Sequence, residues 1–202
     1  MIQQSVTVRN AKNDAEETAI GASAVLKYFA GAQPANTAAA DSGAALAVGT
    51  LPADWMAASS GGVKAKAGNW ALTGQAAAGT GANVGHYRLY ASDGTTCHEQ
   101  GTVTPAIPLV TSALTAAFGN ILNFAATTGV VVGMNASGTG VPSGAKVLAV
   151  AGTAVTLSHT CEAGVAAGVT ITFGGDMTVD NVNVANNQAV SVSSYTKTAS
   201  NA

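Results

Sequence analysis

The sequence predicts an all-β fold: a β-sandwich or jelly-roll-like domain with a short helix-capable N-terminal arm and an inserted small β module. Three observations carry that expectation. Short strand-like runs recur about every 8–12 residues between turns rich in Gly, Asn and Asp. Asp93-Gly94 lies between two such runs, the strongest hairpin signal in the chain. The charges are also unevenly spread. Residues 1–104 hold six basic and seven acidic side chains, whereas residues 105–173 hold only Lys146 and Glu162. The remaining stretch, 174–202, carries Lys197, Asp176 and Asp180.

The charge-poor island opens at Pro105 and Pro108 and closes at Gly174-Gly175, with strand-like residues on both sides. The expected organisation is a discontinuous β domain, residues 1–104 plus 175–202, interrupted by a module at 105–174. Insertions are tolerated at loop tips, where the two flanking ends lie close together.

Taken in order, Ala11 to Ile20 is helix-capable, with Asn10 or Asn13 as N-cap, early acids that suit the helix dipole, and Gly21 as the stop. Ala24 to Phe29 and Leu46 to Leu51 read as strands around a loop from Gly31 to Gly43. Pro52 to Met56 suggests one helical turn with proline first. Val63 to Leu72 reads as a strand, and Val84 to Tyr90 pairs with Thr95 to Val103 through Ala91-Ser92-Asp93-Gly94. Met177 to Val184 and Ala189 to Thr198 flank a turn at 185–188. Inside the island, Leu114, Ala117, Phe118, Ile121, Leu122 and Ala125 match a helical stripe. Gly119 and the flanking threonines and valines favour strands instead. Val130 to Met134, Lys146 to Val150, Ala154 to Ser158 and Val169 to Phe173 read as β runs.

Of 202 residues, 43 are alanine and 24 glycine, 48% are hydrophobic and only 9% charged, which points to a thin core of small side chains. Eight basic against ten acidic residues give a net charge of −2, no footprint for nucleic acid or a membrane surface. No run of 18 apolar residues occurs, and Met1 to Asn10 has no signal-peptide h-region. Cys97 and Cys161 are far apart and read as small buried hydrophobes of a protein made in a reducing cytosol.

Candidate chemistry is sparse. Alternation on a strand places His98 opposite Cys97 and Glu99, which splits a possible ligand set, and His86 and His159 have no partner spacing for zinc. Ser143 lacks a nucleophile elbow. Asp176 with Asp180, or Asp54 with Glu99, are the carboxylate pairs, and Asp176 and Asp180 share a strand face that suits calcium only weakly. Trp55 and Trp70 are expected as core. These residues predict no enzyme, no cofactor and no metal. Lys64, Lys66 and Arg88 form a candidate docking patch for an acidic neighbour.

Several runs resemble a family of tailed-bacteriophage structural proteins. They are Asn13 to Gly21, Leu51 to Met56, His86 to Tyr90, Cys97 to Val103 and Asp176 to Asn181. The island resembles a small β module of phage virion proteins through Gly133-Met134, Gly138 to Gly144 and Val155 to Ser158. The resemblance implies a virion protein made in the host cytoplasm and bound to the capsid exterior. That leaves a decoration (cement) protein or a head-fibre, collar or tail appendage that contacts the host. Its expected partners are the major capsid protein and further copies of itself, as a dimer or trimer. The expected shell contact is the N-terminal arm: Ile2, Val6, Val8, Arg9 and Lys12.

Overall fold

The computed structural model describes residues 3–199. The chain divides into two compact units, one running to Pro105 and resuming at Asp176, the other Ala106–Gly175. Those boundaries lie one residue along from the ones the charge distribution suggests. In chain order the elements are α1 (Val6–Ile20), β1 (Val25–Phe29), β2 (Ala47–Thr50), β3 (Val63–Ala65), β4 (Ala71–Gly74), β5 (Ala82–Asn83), β6 (His86–Tyr90) and β7 (Cys97–Pro105). The second unit follows with β8 (Ile107–Val110), β9 (Gly119–Asn123), β10 (Asn135–Ser137), β11 (Val147–Ala151), β12 (Ala154–Cys161) and β13 (Thr170–Gly174). The first unit then resumes with β14 (Met177–Val179), β15 (Asn183–Val184) and β16 (Ala189–Thr198).

Strand accounts for 43% of the chain against a single α-helix, so the fold is all-β as expected. The first unit, however, is a closed mixed barrel of seven strands, where a sandwich or jelly roll was expected. Its wall runs β14-β7-β6-β1-β2-β4-β16, and β16 pairs back onto β14 to shut it. Closure removes the edges that a two-sheet arrangement would leave. All wall pairings are antiparallel except one: β7 and β14 run parallel, with Val103 opposite Met177 and Thr104 opposite Thr178. They are neighbours, as their consecutive reading suggests, but a tight turn cannot join parallel strands.

The barrel is not thin inside. Trp55, Trp70, Tyr28, Tyr87 and Tyr195 are buried there with Leu26, Leu72 and Leu89. Trp70 stacks at a tilt between Trp55 (5.7 Å) and Tyr195 (5.1 Å), and Tyr195 meets Tyr87 edge-on at 6.0 Å. A few large rings supply the apolar area that the alanines lack. Close backbone approach explains one glycine: a Cβ on Gly74 would stand 1.9 Å from the Ala185 carbonyl oxygen.

The second unit holds two three-stranded antiparallel sheets, β10-β13-β8 and β11-β12-β9. Their inner residues share a core of Leu122, Phe124, Val147, Leu157, Ile171 and Phe173 among others. Gly119 to Asn123 is strand, so the helical alternative for that stretch gives way to the β reading.

Other local expectations shift. The helix begins at Val6, because Ser5, and neither Asn10 nor Asn13, is its cap: the Ser5 Oγ accepts from the Val8 N–H at 3.3 Å. The β-branched run Val6-Thr7-Val8 hid that start. No helical turn forms at 52–56, whose residues are spent burying Trp55 and Met56. Val63 to Leu72 breaks into β3 and β4, and Val130 to Met134 is a turn preceding β10. The Asp93-Gly94 hairpin forms between β6 and β7, with Gly94 at φ +68° and Asp93 accepting from the Thr95 and Thr96 N–H groups.

Candidate functional site

The expected contact arm is a docked helix. Of the five arm residues, Ile2 lies outside the described residues. Val6 and Val8 are 47% and 45% exposed, Lys12 is exposed, and Arg9 is half-buried beside Gly62. From Asn10 onward α1 meets the barrel through polar groups. Asn10 Oδ1 accepts from the Gly62 N–H (2.8 Å), and Asn13 Nδ2 donates to the Gly62 carbonyl (3.0 Å). Asp14 and Glu17 both pair with Lys64, at 2.5 and 2.8 Å. Glu16 pairs with Lys197 (2.5 Å), which also meets Glu99. Glu99 in turn accepts hydrogen bonds from the Tyr87 (2.6 Å) and Tyr195 hydroxyls inside the barrel.

These contacts set the protonation states. The Lys64 hydrogen bond, with help from Ser59, holds the Asp14 carboxyl below its ordinary range. Burial works against the charged form of Lys64, but Asp14 and Glu17 outweigh it and raise its pKa. Lys197 is raised in the same way, its burial outweighed by Glu99 and Glu16. Burial first, and the Glu99 charge second, hold Tyr87 well above the usual phenol value; burial also raises Tyr195 strongly. Both hydroxyls therefore remain donors.

The proposed docking patch does not exist as a patch. Lys64 is 4% exposed and neutralised by α1, while Arg88 is 1% exposed. Lys66 is half-buried and donates to the Gly68 carbonyl (3.0 Å). β3 and β6 are not neighbours in the sheet, so Arg88 does not join the lysines. Instead, Arg88 anchors the loop that crosses the outer face of β6: it pairs with Asp41 at 2.5 Å and donates to the carbonyls of Thr37 (2.6 Å) and Ala39 (2.9 Å). Tyr90 also donates to Asp41, and Lys27 lies 4.3 Å over the Tyr90 ring. Together they line a shallow cleft of about 590 Å³. Alternation on β6 separates Tyr87 and Leu89 from His86, Arg88 and Tyr90, and that signal was present in the sequence. What it lacked was the loop, which buries the outer face as fully as the inner one.

The histidines stay apart. His86 is buried, stacked on Phe29 (5.3 Å) and bonded to the Gly31 carbonyl oxygen (3.0 Å); His98 and His159 are exposed. Among the described residues no group of three or more His, Cys, Asp or Glu is arranged to hold a metal ion. Asp176 accepts from Thr102 and Asp180 from the Ser191 N–H, so each carboxylate closes a strand junction of its own. Both cysteines are free thiols. Burial raises each pKa, and at Cys97 the Arg88 contact (3.2 Å) offsets this only in part. Neither is poised as a nucleophile.

The apolar surface is segregated. Among the described residues every exposed large hydrophobic lies on the first turn of α1 (Val6, Val8) or on the second unit. There they are Val110, Leu114, Phe118, Ile121, Val131, Val132 and Leu148. The barrel itself contributes none. No helix among the described residues is long and apolar enough to cross a membrane. Compared with family models, curated proteins and solved structures, the chain matches none.

Proposed function

We propose that this chain is a structural protein of a tailed-phage virion that binds the outside of the capsid, stabilises it and acts without catalysis. The observation that carries the reading is the segregation of exposed large apolar side chains onto α1 and the second unit, while among the described residues the barrel exposes none. Large apolar groups held in water mark contact surfaces. Val6 and Val8, exposed on the first turn, are the shell-facing residues of α1, whose later turns are already committed to the barrel. The second unit, with only two charged residues, supplies contacts to neighbouring copies or points outward. Stabilisation then follows by mass action: a subunit that binds only the assembled lattice adds about 2.7 kcal/mol per site at 100 times its Kd.

The alternative is a head-fibre, collar or tail appendage whose apolar loops face the host, as the resemblance also implies. One experiment separates the two. Particles with and without the chain are heated while DNA release and adsorption to host cells are followed, and copy number is counted. Earlier release without the chain, with hundreds of copies on the head, supports cement. Unchanged release with lost adsorption supports the appendage. Val6→Asp with Val8→Asp is expected to abolish binding to empty heads while leaving far-ultraviolet circular dichroism unchanged.

A further inference from the structure

α1 is held to the barrel by charge and hydrogen bonds far more than by apolar packing. Only Asn13 and Ile20 of its 15 residues are buried. The receiving groove offers the Lys64 and Lys197 ammonium groups and both backbone groups of Gly62, and the helix answers with Asp14, Glu16, Glu17, Asn10 and Asn13. The connection to β1 is short and strained. Gly21 stands at φ +89°, and Ser23, which carries a Cβ, at φ +54° in the left-handed region. Ala24 is already fully buried. A bend of this kind costs about 1 kcal/mol per non-glycine residue, or roughly fivefold in an equilibrium constant.

We infer that this groove also receives the α1 of a second copy of this chain, so that two copies exchange arms and form a reciprocal dimer. Exchange keeps every helix-to-groove contact, since each groove is filled by an identical helix. It also straightens Ser23 in both chains. Short, strained hinges beside self-contained elements favour this outcome. The acidic triad against two lysines sets the specificity, because only a helix carrying those carboxylates neutralises the buried Lys64. The exchange does not depend on the capsid reading.

Two sets of full-length variants test it by light scattering after size exclusion and by native mass spectrometry. Ser23→Gly relaxes the bend and is expected to lower the dimerisation constant by about 25-fold, fivefold for each of two hinges. Ser23→Pro forbids a positive φ and is expected to raise it. In the second set, Lys64→Glu and the double variant Asp14→Lys with Glu17→Lys each repel their own helix. Mixed one to one, they are expected to form a heterodimer of twice the monomer mass. Tryptophan fluorescence of each variant alone reports whether its barrel is folded. A monomeric wild type that Ser23→Pro leaves monomeric, or a mixture of folded variants that stays as two monomers, overturns the proposal.

Discussion

Asp41→Ala leaves the Arg88 guanidinium buried without its carboxylate. The ion pair is 2.5 Å long, with the Arg88 side chain 1% and the Asp41 side chain 34% exposed. Breaking a buried pair from one side costs about 3–5 kcal/mol, and the part-exposed carboxylate argues for the lower end, about 3 kcal/mol. Thr37 and Ala39 keep two acceptors on Arg88, which softens the loss without replacing the charge. At roughly 2–4 °C per kcal/mol, the melting point of the barrel falls by about 6–12 °C. Both tryptophans belong to the barrel core, so their fluorescence during urea unfolding reads this unit and not the other. The double variant Arg88→Met with Asp41→Ala removes the stranded charge and recovers most of the loss. A loss under about 0.5 kcal/mol for Asp41→Ala, or strict additivity in the cycle, refutes the claim that Asp41 neutralises a buried cation.

Three further outcomes follow from the same geometry. Gly74→Ala drives a Cβ into the Ala185 carbonyl oxygen at 1.9 Å, so the barrel is expected to lose cooperative unfolding or soluble expression, whereas Gly152→Ala, with open space around it, carries only the strain of its φ of +60°, about 1 kcal/mol, and keeps both. Replacing Ala106–Gly175 with about six Gly/Ser residues is expected to leave the barrel folded: the parallel seam requires a return path of roughly 11 Å, too long for a two-residue turn. Helix docking is expected to hold from about pH 4 to about pH 10.5, followed by far-ultraviolet circular dichroism. Asp14 is depressed below 3.8, so its contribution is present above that value and lost as pH falls through the lower folded pKa. Lys64 and Lys197 are raised above 10.5, so theirs are present below it and lost as pH rises past the folded values.

Strand content and the hairpin at Asp93-Gly94 were legible because they are local: alternation and a turn dipeptide need no tertiary context. Barrel closure was not, since it rests on β7 meeting β14 and on β4 meeting β16, pairings between residues far apart in the chain. The same limit hid the site. Lys64 reads as a solvated strand cation until Asp14 and Glu17, some fifty positions earlier, are seen to cover it. Arg88 reads as surface until a loop without strand or helix pattern is folded over it. Trp55 and Trp70 needed no partner to be placed, because large rings in an alanine-rich chain have only the interior to go to.

The parallel seam has a kinetic consequence. β7 and β14 can zip only after a 70-residue excursion has returned, and closing a flexible loop of that length costs about 2 kcal/mol more than closing one of six. The second unit removes most of that penalty itself. Its first and last strands, β8 and β13, are antiparallel partners, with Ile107 opposite Phe173. Once it folds, Ile107 and Phe173 are held about 5 Å apart, and only the few residues on either side of them remain to be closed. The guest module thus acts as a clasp that keeps its host's two strands tethered a few residues from each other, and a core substitution there, such as Phe173→Ala, should slow refolding of a barrel it does not belong to.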